Sequence, residues 1–275
     1  MASIAPRQAL DVEQLRRCLP ATGTVAVAVS GGVDSMTLAH FVARRTGAGL
    51  VAFHAVSPAV PPRATARVRA HAALWGWDLR VVDAGEFADP GYRANPVHRC
   101  FHCKTSLYRT LRAGWSGVLC SGTNRDDLGD FRPGLQAAAD WTVRQPLADA
   151  GIGKAGVREL ARELGLADLQ DLPAQPCLAS RVETGIPIEA ADLRMVDRIE
   201  LLVRDHLGDV AVRCRLRARG VALEVDGALL ASLPAGALAG LEAGIAALCA
   251  DWQRPFAGIE AYRQGSAFLR GDHAT

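Results

Sequence analysis

The sequence predicts an α/β protein, a doubly wound parallel sheet followed by a smaller C-terminal α+β domain. Short apolar runs alternate with helical stretches along the first part of the chain, the order typical of such a sheet. A glycine-containing turn follows the first apolar run, and the pattern changes after a stretch rich in Pro, Asp and Gln at residues 168–176. We therefore expect one domain at residues 1–175 and a second at residues 176–275.

The first apolar run, residues 25–29, is short and unalternated, which is typical of a strand buried on both faces. A helix is predicted at residues 154–166, with Val157, Leu160, Ala161 and Leu164 on one face. The predicted strands are residues 25–29, 50–56, 79–82, 118–120 and, with a weaker pattern, 141–143.

A different order of elements follows the boundary. The pattern predicts a helix at residues 189–207, strands at 210–216 and 221–225, and a helix around residues 238–249. This order suggests a small α+β domain.

Composition places the chain among soluble globular proteins, with 49% hydrophobic and 22% charged residues. The net charge of +2 argues against a dedicated nucleic-acid-binding protein. The N-terminal segment lacks the apolar run of a secretory signal, and residues 228–250 are interrupted by Pro234 and Glu242, so no membrane span is expected. We expect a cytoplasmic protein whose seven cysteines are thiols, metal ligands or catalytic groups rather than disulfides.

The turn SGGVDS, residues 30–35, is the most informative motif. Ser30, Gly31 and Gly32 follow the first strand, and Asp34 and Ser35 open the next helix. Glycines let backbone N–H groups approach a ligand, and a helix N-terminus attracts phosphate. An ordinary strand–turn–helix corner is the structural alternative. The motif is not a Walker A loop, since no lysine follows the glycines.

The cysteines provide the second signal. Cys100 and Cys103 form a CxxC pair, and Cys177 stands alone in QPCLASR. A CxxC pair by itself fits a redox site, half of a zinc site or coincidence. No second CxxC is present, which disfavours a four-cysteine zinc site. The remaining cysteines are interpreted as small core residues, namely Cys18, Cys120, Cys214 and Cys249.

Polar side chains crowd the segment SGTNRDDLGD after the fourth predicted strand. Asn124, Asp126, Asp127 and Asp130 suit contacts with Mg²⁺ or a ribose, although Asp and Asn also favour solvated turns. The position of the segment at a strand's carboxyl end favours the functional interpretation.

The turn resembles the PP-loop of the ATP pyrophosphatases, which cleave ATP to AMP and pyrophosphate. Five further motifs extend the resemblance to the LarE-type sulfur transferases: RCFHCK, SGTNRDDLGDFRPG, the helix at 154–166, PCLASR followed by GIP, and IEAYRQGS. The resemblance implies an enzyme that adenylylates the carboxylates of pyridinium-3,5-dicarboxylate mononucleotide. Sulfur then displaces AMP and gives the thiocarboxylates of the nickel-pincer nucleotide, the lactate racemase cofactor.

The resemblance also implies roles for individual residues. Asp34 would hold Mg²⁺, and Asp34 and Cys177 would be catalytic. The anionic substrate would meet Ser180, Arg181, Arg213 and Arg215. The residues implied in ATP binding are Ser30, Gly31, Gly32, Asp34, Ser35, His54, Gly122, Thr123, Asn124 and Asp127.

The sequence leaves the source of the sulfur open. Members with three cysteines carry a four-iron four-sulfur cluster, here on Cys100, Cys103 and Cys177, and this mechanism is favoured. Other members sacrifice the cysteine at position 177, which becomes dehydroalanine; zinc or an empty triad are further alternatives. Cys214 between Arg213 and Arg215, followed by LRARG without histidines, departs from the family pattern and puts the contacts of that strand in doubt.

The expected partners are a small-molecule nucleotide substrate, a downstream nickel-insertion protein and further copies of the chain in a homo-oligomer, without membrane or nucleic acid. Three rival functions stay open: a tRNA thiolase, an ammonia-using ligase related to NAD synthetase, and an AMP-binding regulatory module.

Overall fold

The computed structural model describes residues 11–129, 133–208, 210–263 and 265–268. The chain divides into two compact units. The first unit comprises residues 1–56, 62–84 and 104–175, and the second comprises residues 57–61, 85–103 and 176–275. The assignment of residues 1–175 and 176–275 to domains with separate roles stays a prediction.

Helices and strands alternate in the first part of the chain, whereas three further strands lie toward its C-terminal end. The helices of the described residues are α1 (Val12–Arg17), α2 (Val33–Arg45), α3 (Pro62–Trp75), α4 (Pro90–Arg93), α5 (Arg99–Ala113), α6 (Pro133–Asp140), α7 (Pro146–Asp149), α8 (Lys154–Glu163), α9 (Ala167–Gln170), α10 (Ala190–Leu207), α11 (Gly227–Ser232) and α12 (Ala235–Asp251). The strands are β1 (Thr24–Ala28), β2 (Gly49–Val56), β3 (Asp78–Asp83), β4 (Val118–Ser121), β5 (Val212–Arg217), β6 (Gly220–Val225) and β7 (Phe256–Ala261). Short 3₁₀ turns lie at Glu86–Ala88, Arg125–Gly129 and Leu178–Arg181.

The first unit is built on a parallel sheet with the strand order β3-β2-β1-β4. Val25, Ala26 and Val27 of β1 are fully buried, because β1 lies inside the sheet and the apolar sides of α2 and α8 belong to the same core. Unalternated apolar residues are what such a position requires. The prediction of a parallel α/β sheet flanked by helices is confirmed.

The strand order places a crevice at the carboxyl ends of β1 and β4. The chain leaves β1 toward β2 on one side, while β4 pairs with β1 on the other side, so the connections diverge at this point. Open α/β sheets bind ligands at such a switch point. Residues 30–32 follow β1 and residues 122–124 follow β4, so both polar segments lie at this edge.

Two buried histidines and the exposed Asp168 form a chain of polar contacts that fixes helix α2. His40 Nε2 lies 2.8 Å from His71 Nδ1 on α3, and His71 Nε2 lies 2.8 Å from Asp168 Oδ2 on α9. Burial, followed by the charges of His71 and Arg44, lowers the pKa of His40 to about 3, so this imidazole is neutral at pH 7. Because a carboxylate only accepts, His71 donates from Nε2 to Asp168. The helix behind the SGGVDS turn is thereby tied to two neighbours.

The prediction of a strand at residues 141–143, the weakest of the predicted strands, is wrong. Thr142 has a φ of 52°, and the N–H groups of Thr142 and Val143 bond back to Ala139 and Ala138 of α6. These bonds terminate the helix and leave only Arg144 to pair with β4, as an isolated bridge to Cys120. Helix termination therefore uses the backbone groups that a strand would need.

The second unit contains a mixed sheet with the order β5-β6-β7, in which β5 and β6 are antiparallel and β6 and β7 are parallel. Helices α10 and α12 pack against this sheet around a separate apolar core. The predicted helices at 189–207 and 238–249 and the predicted strands at 210–216 and 221–225 are confirmed with shifted ends. Strand β7 was not predicted, although it contains the IEA of the IEAYRQGS motif.

Within the part of the chain that the structure describes, no helix has both the length and the apolar character needed to cross a membrane.

Candidate functional site

The turn after β1 is shaped by two glycines. Gly31 has a φ of +82°, and a Cβ at this position would lie 2.7 Å from the carbonyl oxygen of Ala64. Gly32 precedes α2 in an extended conformation and provides no side-chain cap. The first N–H groups of an α-helix lack intrahelical partners, so the N-terminus of α2 offers them to a ligand.

Two serine hydroxyls hold this turn together. The Ser30 N–H donates to Ser35 Oγ at 3.0 Å, and the two hydroxyl oxygens lie 3.1 Å apart. The Gly32 N–H points to Ser30 Oγ at 3.3 Å. The turn is therefore preorganised by its own side chains, and its hydroxyls lie beside the N-terminus of α2.

The segment after β4 approaches the same helix end very closely. A Cβ on Gly122 would lie 2.5 Å from the backbone nitrogen of Ser35 and 2.6 Å from its Cα. Only glycine fits at this distance, because the obstructing atoms belong to the backbone. The hydroxyl of the neighbouring Thr123 lies 3.1 Å from that of Ser121 at the end of β4.

Asp34 is linked to Asn124 and lies near Asp127. The buried Asn124 donates from Nδ2 to Asp34 Oδ1 at 3.2 Å. Burial and then the negative charge of Asp127 raise the pKa of the Asp34 carboxyl, and the hydrogen bond from Asn124 opposes them. Lys154 Nζ lies 3.8 Å from Asp127 Oδ1. The structure thus gathers two carboxylates, an amide and one lysine at the start of α2.

Asp126 binds the N-terminus of α8. Its Oδ2 accepts the Lys154 N–H at 2.8 Å, and a Cβ on Gly153 would lie 2.5 Å from its Oδ1. This backbone hydrogen bond holds the pKa of Asp126 below its usual range. Asp126 therefore caps α8 and keeps Lys154 beside Asp127. Asp130, the fourth acidic or amide residue of the motif, lies outside the described residues.

His54 on β2 joins the ends of two strands. Its Nδ1 lies 2.8 Å from the carbonyl oxygen of Val29, and its Nε2 lies 2.9 Å from the hydroxyl of Thr65. Burial lowers the pKa of His54. The neutral ring donates to Val29 from Nδ1 and accepts from Thr65 at Nε2. His54 thus braces the residue that precedes the turn.

The cysteine triad lies within the second unit. Cys100 and Cys103 are half-buried and one helical turn apart on α5, and the exposed Cys177 comes directly before a 3₁₀ turn. No three His, Cys, Asp or Glu side chains within the described ranges are grouped as one metal ion would require. A cluster binds thiolates through separate irons, so it needs them farther apart than a single ion does. A set of three thiols fits the cluster by its donor chemistry.

Arg181 fixes the backbone around Cys177. It is 1% exposed, and its Nε and Nη2 donate to the two carboxylate oxygens of Glu200 at 2.8 and 3.0 Å. Its Nη1 donates to the carbonyl oxygens of Pro176 and Cys177 at 2.7 and 3.2 Å and to Ser180 Oγ at 3.0 Å. Burial opposes ionisation, yet the hydrogen bonds and charge of Arg181 hold the pKa of Glu200 below its usual range.

Arg213 and Arg215 have different surroundings on β5. Arg215 is buried and donates from Nε to Glu224 at 2.8 Å and from Nη1 to the carbonyl oxygen of Ser180 at 3.1 Å. Arg213 is half-buried and lies 5.9 Å from the ring centroid of Tyr262. Burial, followed by the charge of Arg181, lowers the pKa of Arg213 to about 10, so it keeps its charge at pH 7.

Sequence reasoning missed the acidic partners of these arginines and also Lys154 as a partner of Asp127. Glu200 lies on the apolar side of α10, near Val196, Ile199 and Val203, all fully buried. A glutamate on the apolar face of a predicted helix could have indicated a buried ion pair, since buried carboxylates are nearly always paired. Glu224, which interrupts the apolar strand β6, gave a similar signal.

No family model matches the chain. A comparison with individual proteins gives three relatives. An uncharacterized protein of Synechocystis sp. is 40% identical over 209 residues, which cover 74% of this chain and 77% of the relative. The chain belongs to the family of that protein.

Two further relatives are more distant. An uncharacterized protein of Methanocaldococcus jannaschii is 27% identical over 194 residues, covering 69% of this chain and 73% of the relative. The pyridinium-3,5-bisthiocarboxylic acid mononucleotide synthase of Lactiplantibacillus plantarum is 26% identical over 220 residues, covering 78% of each chain. The named relative supports the resemblance to LarE-type enzymes that the motifs indicate.

The close approach of Gly122 to α2 gives a testable prediction. Gly122→Ala should lower the free energy of unfolding by about 1–3 kcal/mol, the usual cost of overpacking, because backbone atoms of Ser35 must move. Gly129→Ala is the matched control, since a Cβ at Gly129 meets no atom of the described residues within 4 Å. Chemical denaturation measures both variants. Equal stability of the Gly122 variant and wild type would contradict the packing described for β4 and α2.

Proposed function

We propose that the protein is an ATP-dependent sulfur transferase that converts the carboxylates of pyridinium-3,5-dicarboxylate mononucleotide to thiocarboxylates. The proposal is carried by one observation, the alignment with the named synthase over 78% of both chains. It is supported by a preorganised turn at the switch point of the sheet, whose N–H groups and hydroxyls suit the phosphates of ATP. The product would serve the nickel-pincer nucleotide, with a nickel-insertion protein as the next partner and a homo-oligomer as the working form.

The first step is adenylylation of a substrate carboxylate. Its oxygen attacks the α-phosphorus of ATP, and the bond to the bridging oxygen breaks, so that pyrophosphate leaves with the electron pair. The turn would hold the departing pyrophosphate with the N–H groups of α2 and the hydroxyls of Ser30 and Ser35. Residues 122–124 and His54 would shape the nucleotide pocket from the adjacent strand ends.

Asp34 and Asp127 would hold Mg²⁺. The raised pKa of Asp34 reflects burial and the neighbouring negative charge of Asp127, which a cation would offset. Two carboxylates are the usual protein share of a magnesium site whose other ligands are phosphates and water. When bound, Mg²⁺ neutralises negative charge on the phosphates.

The second step replaces AMP by sulfur. A sulfur nucleophile forms a bond to the acyl carbon, and the bond from that carbon to the AMP oxygen breaks. We assign Arg213 and Ser180 to the anionic substrate. Arg181 and Arg215 would orient the segment around Cys177, since their donors already bind Glu200, Glu224 and backbone carbonyls.

Cys100, Cys103 and Cys177 would hold a four-iron four-sulfur cluster. Three thiolates leave one iron of such a cluster open, and the bound cluster would supply the sulfur there. The exposure of Cys177 also fits the alternative in which this cysteine gives up its own sulfur. Iron content and the fate of the Cys177 sulfur distinguish the two sources.

The reaction itself is tested with purified protein, ATP, Mg²⁺ and the dicarboxylate mononucleotide. Pyrophosphate and AMP should appear only with the substrate, together with a thiolated product in the mass spectrum.

Asp34→Asn should slow pyrophosphate release by about 100-fold or more, the scale of one preorganised charge-stabilising group. Asp140→Asn, which alters an exposed aspartate on α6 bonded to Gln136, is the control. Pyrophosphate release with tRNA but not with the mononucleotide would instead indicate a tRNA thiolase.

The sulfur source is tested by Cys100→Ala. A cluster mechanism predicts about four irons per wild-type chain after anaerobic purification, and loss of both iron and thiolated product in the variant. Cys18→Ala, a half-buried cysteine in the first unit, should keep both. Intact mass after turnover measures the alternative. An iron-free wild type that loses hydrogen sulfide at Cys177, with an active Cys100 variant, would contradict the cluster.

A further inference from the structure

Two motifs to which the proposed reaction gives no role line one cavity of the second unit. The cavity has a volume of about 610 Å³, and sites for small molecules usually measure about 300–1,000 Å³. The segment LRARG, which joins β5 to β6, provides Arg217 and Arg219, and the motif IEAYRQGS provides Arg263 and Ser266. Three arginines therefore line one cavity of ligand size.

Hydrogen bonds tie the walls of this cavity together. The Glu183 N–H donates to the carbonyl oxygen of Leu216 on β5 at 2.9 Å. The Thr184 N–H donates to the carbonyl oxygen of Ala267, the residue after Ser266, also at 2.9 Å. The segment that contains Glu183 thus joins β5 to the turn that carries Ser266. The cavity is therefore already formed without a ligand.

Two of the arginines are held in place by glutamates. Arg217 donates from Nη2 to Glu224 at 2.7 Å and from Nη1 to Glu260. Arg219 Nη2 lies 3.3 Å from the second carboxylate oxygen of Glu260. Glu224 is fully buried, so its ion pairs with the arginines of β5 belong to the interior of the unit. These contacts fix the direction in which Arg217 and Arg219 approach the cavity.

Other donors at the cavity are not used by the polypeptide. The guanidinium of Arg263 has no hydrogen-bond or ion-pair partner within the described ranges, and the N–H groups of Arg219 other than those on Nη2 have none there either. The Ser266 hydroxyl is buried and, among the same residues, also lacks a partner. Buried polar groups in native proteins are nearly always hydrogen-bonded. These donors therefore indicate a ligand with several acceptor oxygens.

Positive charge exceeds negative charge around the cavity. Four arginines and three glutamates line it or pair with its lining residues, namely Arg215, Arg217, Arg219, Arg263, Glu183, Glu224 and Glu260. Glu183 is itself engaged, because its Oε1 accepts the Ala218 N–H at 3.4 Å. One positive charge is thus in excess, and an anionic ligand would balance it.

A further arginine lies against the Phe268 ring, which lines the cavity. The guanidinium carbon of Arg99 is 4.5 Å from the centroid of that ring. Arg99 is 2% exposed and donates from Nη1 to Asn95 Oδ1 at 2.6 Å, while its Nη2 has no partner among the described residues. Within those residues it forms no ion pair with a carboxylate. Arg99 therefore adds to the positive potential at the cavity.

We propose that this cavity binds the phosphate group of a phosphate monoester of about nucleotide size. Arg219 and Arg263 donate to the phosphate oxygens together with the Ser266 hydroxyl, since guanidinium groups match phosphate geometry. Phe268 offers an apolar surface to the rest of the ligand. A phosphate monoester carries a charge of about −1.5 to −2 at pH 7 and three acceptor oxygens, so it uses these donors more fully than a carboxylate does.

Two sources carry this chemistry. One is the mononucleotide substrate of the proposed reaction. Arg215 holds the carbonyl oxygen of Ser180 and shares Glu224 with Arg217, so bonded side chains link the cavity to the segment assigned to the substrate. The other source is a separate phosphorylated molecule. Binding at the cavity is measured without turnover and does not depend on the proposed function.

The test is calorimetric titration of the full chain with ribose 5-phosphate, in the absence of ATP. Arg263→Gln should weaken binding about tenfold or more, the loss expected when charge-assisted hydrogen bonds are removed. Its thermal midpoint should equal that of wild type, because the Arg263 guanidinium has no partner within the described ranges. Arg194→Gln, which alters an exposed arginine on α10, is the matched control and should bind as wild type.

Ribose without its phosphate should not bind measurably. Equal affinity for ribose 5-phosphate in the Arg263 and Arg194 variants would overturn the proposal, because the phosphate would then be held elsewhere, for example at the turn after β1. Absence of binding to wild type at millimolar concentration would overturn it as well.

Turnover then distinguishes the two sources of phosphate. If the substrate occupies the cavity, Arg263→Gln should raise the KM for the mononucleotide about tenfold with little change in kcat. If a separate molecule occupies it, that KM should stay unchanged and ribose 5-phosphate should not compete with the mononucleotide. Both results support the cavity as a phosphate site. If wild type makes no thiolated product, the proposed function fails, and the binding comparison still decides the role of the cavity.

Discussion

The contact on which the candidate nucleotide site depends is the approach of Gly122 to the backbone of Ser35. At this contact the segment after β4 touches the N-terminus of α2 with no side chain between them. The approach brings Asn124 to Asp34 and puts Asp127 near both. The hydroxyls of Ser30 and Ser35 then complete the turn from the other side. Asp34, Asn124 and Asp127 are therefore brought together by that close packing.

A different constraint organises the second unit, where arginines and glutamates are buried as complete sets. Arg181 and Arg204 share Glu200, while Arg215 and Arg217 share Glu224. Removing ions from water is costly, so such groups persist only where each is paired and hydrogen-bonded. The spare donors of Arg181 and Arg215 hold carbonyls of residues 176, 177 and 180. The backbone around Cys177 is therefore anchored by charge pairs rather than by regular secondary structure.

The sequence predicts those parts of the fold that local patterns determine. Apolar runs predicted the four parallel strands. Burial on both faces explains the run of β1, whereas β3 lies at the edge of the sheet and is half-buried or exposed along its length. The run at 141–143 failed because termination of α6 takes up its N–H groups. The turn residues Ser30 to Ser35 were evident from glycines at a strand end, whereas the packing of Gly122 depends on a contact distant in sequence. The same holds for Glu200 and Glu224, whose partners Arg181, Arg215 and Arg217 lie on other elements.

The central claim is that the chain activates a carboxylate with ATP before sulfur enters. It is tested most directly by a substrate whose carboxylates carry oxygen-18. Adenylylation joins a carboxylate oxygen to the α-phosphorus, and sulfur then breaks the bond between that oxygen and the acyl carbon. The account therefore predicts one oxygen-18 atom in each AMP released during thiolation. Unlabelled AMP alongside thiolated product would contradict it.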